Sequence, residues 1–269
     1  MHSTRKVDFL EIEPGCREQG VAARIILHGE VDFRDAPSIG KAVKRLLKDG
    51  NNRIDICLGD VVFMDSSGIS ALLVSQQSIK EVGAQLVLVS PTQSLLHVLE
   101  MSGFSRLFEY AYEPKVAKRI GIAEEPTLPF TWQMTEFYVP CVPHLVSDIR
   151  RRIAQIAASM PFDTDQIEDI KLAVGEASAN AFRYGCPNGC DSQIHVRCVG
   201  TDKSLTVEIT DCGPGFDPAS IPPVNFDRME MGGRGIHFMR STMDEVEFIP
   251  QETGTMVRMV KNVGLSSPP

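Results

Sequence analysis

The 269-residue chain has no run of about 18 apolar residues, so no membrane-spanning helix is expected. Its first stretch, Met1 to Glu13, carries charges throughout and lacks the apolar core of a signal peptide. Internal repeats and low-complexity tracts are missing. There is no basic excess either. The 27 Lys and Arg are outnumbered by 35 Asp and Glu, and the net charge of -8 argues against nucleic acid as the main ligand. The 7 cysteines are an odd number without framework spacing. They read as incidental thiols of a reducing compartment, and a cytoplasmic protein is expected. Cys186, Cys190, His195 and Cys198 could be read as a zinc set. But Gln193 to Val199 reads as a strand, on which His195 and Cys198 face opposite ways, so zinc is not expected.

What is present is enough for two ordinary domains, with 43% hydrophobic residues to fill their cores. The first half alternates strand and helix. Strands are expected over Lys6–Glu13, Ala22–Gly29, Arg53–Leu58, Gln85–Val89 and Leu107–Tyr110. Helices are expected over Ala36–Leu47, Ser66–Val82, Gln93–Met101 and Pro114–Ile120. That rhythm predicts an α/β layer with a mainly parallel sheet. Pro126 and Pro129, among acidic and small residues, mark a linker over 124–130, leaving domains at 1–123 and 131–265. The second half changes rhythm. A strand over Thr131–Val139 precedes helices over Val142–Ser159 and Asp163–Tyr184. Strands follow at Gln193–Val199 and Ser204–Thr210, then a Gly- and Pro-rich loop, a helix over Ile236–Met243 and a hairpin of Glu245–Ile249 with Thr255–Lys261. This predicts a two-layer α+β sandwich. The tail from Ser266 to Pro269 is expected to be disordered.

Three stretches of the second half carry chemistry. In Glu176-Ala-Ser-Ala-Asn180-Ala, Glu176 and Asn180 share one helix face, beside the apolar stripe of Ile170, Ala173, Val174, Ala177 and Ala181. That pair alone also fits a solvated polar face. In Asp211-Cys-Gly213-Pro-Gly215-Phe, a strand-end Asp can accept a hydrogen bond from an exocyclic amine, and the glycines let backbone approach a flat ligand. The same pattern also serves plain turns. In Gly232-Gly233-Arg234-Gly235, free N–H groups at a helix start favour a phosphate chain, and Arg234 can add a charge-assisted contact. A flexible loop would have the same composition. The spacing matches neither a Walker A loop nor a dinucleotide fingerprint.

Together and in this order, the three resemble the N, G1 and G2 boxes of the GHKL (Bergerat) ATP-binding fold. The likeness is greatest to its bacterial anti-sigma-factor serine kinases and spans about 131 to 263. It implies ATP and Mg2+ as cofactors, with Asn180 on the magnesium and Asp211 on adenine. Gly213, Gly215, Gly233 and Gly235, with Arg234, would shape the pocket and lid, and Glu176 would be the base that activates a substrate serine. Where many relatives have His, this chain has Tyr184.

In the first half, Phe63-Met-Asp65-Ser66-Ser67-Gly68-Ile joins a strand to a helix, with Asp65 as a natural N-cap. It reads either as a well-capped helix or as a phosphorylation site at an exposed helix start. With Gly29-Glu-Val-Asp32, it resembles a STAS domain of the anti-sigma-factor antagonist type, over about Val7 to Ile120. That likeness implies Ser66 as phosphoacceptor, Ser67 as fallback and Asp32 near the kinase-docking surface, although Asp32 also fits a plain turn.

The two likenesses imply a partner-switching regulator of transcription. It would be an ATP-dependent protein-serine kinase and anti-sigma factor fused to a STAS antagonist that is phosphorylated on Ser66, or acting on a separate STAS partner. Its partners would be a sigma factor or a STAS protein, and a homodimer through the kinase domain is expected. The short linker leans towards transfer between chains. The alternative is a non-catalytic, ATP-responsive module that sequesters a partner. A sensor histidine kinase is disfavoured, because no helical hairpin with a phosphoacceptor His is visible and His97 falls in a short helix of the STAS-like half.

Overall fold

Apolar residues recur at every second position in two segments of the first half, and in a strand that alternation buries one face. Ile25 and Leu27 are fully buried on one segment, Ile54, Ile56 and Leu58 on the other. In a computed structural model, residues 9–15, 22–113, 133–186, 192–215 and 234–264 are described. They fall in two compact units, each with its own sheet.

The first unit holds β1 (Leu10–Glu13), β2 (Ala23–Val31), α1 (Ala36–Lys48), β3 (Arg53–Met64), α2 (Ser66–Glu81), β4 (Gln85–Val89), α3 (Gln93–Met101) and β5 (Glu109–Ala111). The sheet order is β1-β2-β3-β4-β5. β1 is antiparallel to β2 and the other pairs are parallel, as the strand–helix rhythm implies. β3 runs past the expected end at Leu58 to Met64, because the far end of β2 pairs with it through two register shifts, up to Val31 opposite Met64. The last strand begins at Glu109, since Ser105–Leu107 is a 3-10 turn. The expected helix over 114–120, the linker and the tail lie outside the described residues.

The second unit holds β6 (Gln133–Pro140), α4 (Pro143–Ala158), α5 (Thr164–Gly185), β7 (Gln193–Gly200), β8 (Ser204–Thr210), α6 (Arg234–Thr242), β9 (Glu245–Pro250) and β10 (Thr255–Asn262). Its sheet is antiparallel throughout, in the order β6-β7-β8-β10-β9. Asp163 caps α5 in a full capping box: its carboxylate accepts from the Gln166 N–H, and the Gln166 side chain accepts from the Asp163 N–H. The inward sheet face (Ile194, Val196, Leu205, Val207, Ile209, Val257, Met259) packs on Ile149 and Ile153 of α4, Ile170, Val174 and Ala177 of α5, and Met239 of α6.

The other sheet face carries a rung of alternating charge. Register sets Glu136 opposite Arg197, Arg197 opposite Glu208, Glu208 opposite Arg258 and Arg258 opposite Glu247. Glu208 is buried between its two arginines, at 3.0 Å from Arg197 and 2.9 Å from Arg258.

The cysteines depart from expectation. Cys141 and Cys186, 45 residues apart in sequence, form a disulfide with their Cα atoms 6.0 Å apart. The turn between β6 and α4 meets the end of α5 there, a juxtaposition that spacing along the chain does not show. The described members of the zinc set lie apart. Cys186 is in the disulfide, Cys198 is buried on the inward face, and His195 on the opposite face meets Glu136 at 2.6 Å. Cys190 lies outside the described residues. Among the described residues no helix is long and apolar enough to cross a membrane.

Candidate functional site

The last three turns of α5, the end of β8, the start of α6 and the β9–β10 hairpin surround a cavity of about 400 Å³. Ala177 and Ala181 of α5, Ile209, Ile236, Phe248 and Val257 give it apolar walls. Asn180, Asp211 and the glycines Gly215 and Gly235 line it too. The i, i+4 spacing keeps Asn180 one turn beyond Glu176 on the same helix.

Asp211 sits at the end of β8 with a polarised carboxylate. Its Oδ1 accepts from the Gly213 N–H at 2.9 Å and from the Thr255 N–H at 3.2 Å. Among the described residues nothing donates to Oδ2. The group is half-buried, and burial pushes its pKa above the usual carboxylate range, while the two backbone donors pull the other way. Close backbone approach builds this corner. A Cβ on Gly185 would lie 2.8 Å from Asp211 Oδ1, and one on Gly213 would lie 2.5 Å from the Tyr184 carbonyl oxygen. Gly254, at φ +88, touches the Asp211 carbonyl and carboxylate.

The opposite corner joins two of the sequence stretches. A Cβ on Gly235 would lie 2.5 Å from Glu176 Oε2 and 3.5 Å from Asn180 Nδ2. Glu176 is 2% exposed, behind Gly235 rather than on the cavity wall. The Asn180 carboxamide makes no hydrogen bond with any described residue. Arg234 opens α6 but is buried and does not line the cavity; desolvation lowers its pKa. Gly233 lies outside the described residues. A flat apolar slot with one free carboxylate oxygen fits an adenine ring. An open carboxamide beside it fits a magnesium ion that takes most of its ligands from phosphate and water.

In the first unit, Asp65 stitches two loops together. Its Oδ1 accepts from the Ser67 and Gly68 N–H groups at 2.8 and 3.0 Å, capping α2. Its Oδ2 accepts from the Phe33 N–H at 2.9 Å, which brings the loop after β2 against the start of α2. Asp32 is 5% exposed and gripped by the half-buried Arg34 guanidinium, so its charge is paired within its own loop. Ser66 is 8% exposed, so the expected exposed helix start is corrected: in the first turn of α2 that residue packs inward. Ser67 is half-buried.

Comparison with known proteins fits this geometry. The family model of the histidine kinase-like ATPase domain matches residues 139–261, and that of the STAS domain matches residues 17–119. The serine-protein kinase RsbW of Bacillus subtilis is 31% identical over 134 residues, 47% of this chain and 83% of that protein. This chain belongs to the RsbW serine-kinase family. It carries a STAS domain ahead of the region shared with RsbW. An anti-sigma F factor of Clostridium botulinum is 33% identical over 123 residues, covering 44% of this chain and 86% of its own. A solved structure of the Bacillus cell fate determinant SpoIIAA in its phosphorylated form aligns with 39% of this chain and 92% of its own, at 25% identity and a TM-score of 0.33.

For this RsbW-family chain, sequence reasoning misses Thr255, Gly254 and Gly185. Thr255 donates to Asp211, while Gly254 and Gly185 leave room for it. Gly254 is legible only as a hairpin turn and Gly185 only as a helix end. Nothing local to them signals that β10 lies beside β8.

Proposed function

We propose that this chain is a partner-switching regulator of transcription whose C-terminal domain transfers the γ-phosphate of ATP to a serine of a STAS domain. The observation that carries the proposal is the convergence of Asn180, Asp211 and Gly235 on one cavity, with Glu176 directly behind Gly235 and one helical turn from Asn180. We place the domains at 1–123 and 131–265, joined by a linker over 124–130. Asp211 accepts the adenine amine on its free Oδ2, and Ala177, Ala181, Ile209 and Val257 exclude water from the ring's faces. Asn180 offers its carboxamide oxygen to magnesium. The metal, when bound, offsets the phosphate charge. Gly213, Gly215, Gly233 and Gly235 shape the slot and its lid, while Arg234 braces the start of α6 from inside.

Glu176 is the general base. The acceptor serine Oγ attacks the γ-phosphorus, the bond to the ADP oxygen breaks, and the serine proton passes to the Glu176 carboxylate. Ser66 is the proposed acceptor and Ser67 the fallback, on this chain's own STAS domain, on a second copy or on a separate STAS protein. Because Ser66 packs inward, its transfer needs the first turn of α2 to loosen. Phosphate there adds charge to a surface that includes the Asp32 loop and so releases a docked partner. A sigma factor competes for the kinase domain with unphosphorylated STAS. A purely sequestering module is not favoured, because relatives covering the ATPase domain are serine-protein kinases. The homodimer is proposed to form through the open sheet face of the kinase domain. Its alternating rung meets opposite charges in a second copy when the two-fold axis falls between two neighbouring strands, and Met134 and Tyr138 stand exposed beside it.

The test is phosphopeptide mapping after incubation with labelled ATP and magnesium, for the chain alone and for Glu176→Gln. Acid-stable label on Ser66 or Ser67, lost in Glu176→Gln while ATP binding persists, is the expected result. Absence of label on any serine of this chain or of an added STAS protein overturns the kinase assignment.

A further inference from the structure

Three cysteines of the kinase unit meet where α5 ends. Cys186 is the C-cap of α5 and is disulfide-bonded to Cys141, in the turn before α4. Cys212 follows Asp211. Its N–H donates to the Gly185 carbonyl at 3.2 Å, and its half-buried thiol lies 3.5 Å from the same oxygen. The start of β7 closes the group: the Cys141 N–H donates to the Ser192 carbonyl at 3.0 Å, and the Cys212 thiol lies 4.0 Å from the Gln193 carbonyl.

The residues between these sulfurs also build the Asp211 corner of the cavity. Tyr184 lines the cavity, its carbonyl touches Gly213, and Gly185 packs on the Asp211 side chain. Helix ends fray, because their last carbonyls lack intrahelical partners. Here the last turn of α5 is tied covalently to an element 45 residues away. The position of Asp211 therefore depends on a turn whose anchor is a reducible bond.

We propose that Cys141–Cys186 is a redox modification site that governs nucleotide affinity. The disulfide holds the end of α5 against Asp211, and its reduction loosens that turn and weakens ATP binding. The inference rests on the reading of the cavity as a nucleotide site. In the reductive direction, one thiolate of a dithiol attacks a sulfur of the pair, the Cys141–Cys186 bond breaks, and a mixed disulfide forms. The second thiol of the dithiol resolves it. Two protein thiols are left, and the reductant departs as its own cyclic disulfide, having given two electrons and two protons. Coupling is reciprocal, so bound nucleotide must oppose reduction by the same factor that reduction weakens binding.

The test uses the full chain, oxidised or treated with dithiothreitol, with the thiol state read by intact mass. MgATP binding is measured by calorimetry after the reductant is removed without air. The oxidised chain should bind MgATP, and reduction should weaken binding by about fivefold or more. Cys141→Ser/Cys186→Ser should bind like the reduced chain with or without dithiothreitol, whereas Cys57→Ser should respond like wild type. In a dithiothreitol redox buffer, saturating MgATP should shift the dithiol–disulfide equilibrium towards disulfide by the same factor. That measurement holds even where the double variant folds poorly. Equal affinity in both redox states overturns the clasp and leaves the nucleotide site intact. No MgATP binding in either state overturns both.

Discussion

Asp211 is half-buried and lines the cavity, with one oxygen held by two backbone N–H groups and the other without a donor among the described residues. Burial raises its pKa, so the folded chain holds that proton more tightly than the unfolded one. Acidification therefore relieves a cost to stability at this residue, while it removes the acceptor proposed for adenine. The expected result is that MgATP affinity, followed by nucleotide fluorescence, falls on acidification with a midpoint above the usual carboxylate range, before the fold is lost. Asp211→Asn should weaken binding roughly ten- to hundredfold at neutral pH, the scale of a hydrogen bond to a charged group. Gly235 yields a sharper separation. Alanine there is a better helix former by about 1 kcal/mol, so the domain should unfold no more easily. Yet its Cβ would lie 2.5 Å from Glu176 Oε2, and the carboxylate must move. Displacing the proposed base by about 1 Å would cost on the order of a hundredfold in rate. Gly235→Ala should therefore lose phosphotransfer, measured by single-turnover labelling, with its urea midpoint unchanged.

At the scale of elements, α5 is held at three places. A capping box closes its start, the disulfide ties its end, and Asp169 in its second turn meets Lys261 of β10. Both charges are buried, 2.8 Å apart, and the Lys261 ammonium also donates to the Thr242 carbonyl at the end of α6. One cation thus joins α5, α6 and β10, the elements that carry Asn180, Gly235 and Thr255. Lys261→Met removes the cation and leaves a buried carboxylate, which costs about 3–5 kcal/mol when a buried pair loses one partner. Urea unfolding should show that loss for the kinase unit, and the double replacement Lys261→Met/Asp169→Leu should recover part of it. Recovery is expected because two apolar side chains bury no unpaired charge.

For the whole molecule, the open face of the kinase sheet is the feature that the monomer leaves unused. The rung of Glu136, Arg197, Glu208, Arg258 and Glu247 is nearly neutral, and a second copy turned by a two-fold axis that falls between two neighbouring strands sets each overlapping Glu opposite an Arg. Tyr138, 61% exposed and stacked on His195, supplies apolar area beside it. Sedimentation velocity should find a dimer for the wild-type chain. Tyr138→Asp should shift it to monomer without changing its circular dichroism, since an exposed side chain is replaced.

The sequence alone determined the two folds and most of the proposed nucleotide corner. Strand alternation and helical spacing are local signals. Asn180, Asp211 and Gly235 each stand in a local pattern, and the likeness to anti-sigma-factor kinases joins those patterns. Tertiary structure alone decided the rest. The Cys141–Cys186 pairing, the support of Asp211 by Thr255 and Gly254, the burial of Ser66 and the hold of Asp65 on the Phe33 N–H all depend on which segments meet. No local propensity encodes such a meeting. It follows from burying two sheets under their helices, and that global balance brings residues 45 apart in sequence to within 6.0 Å.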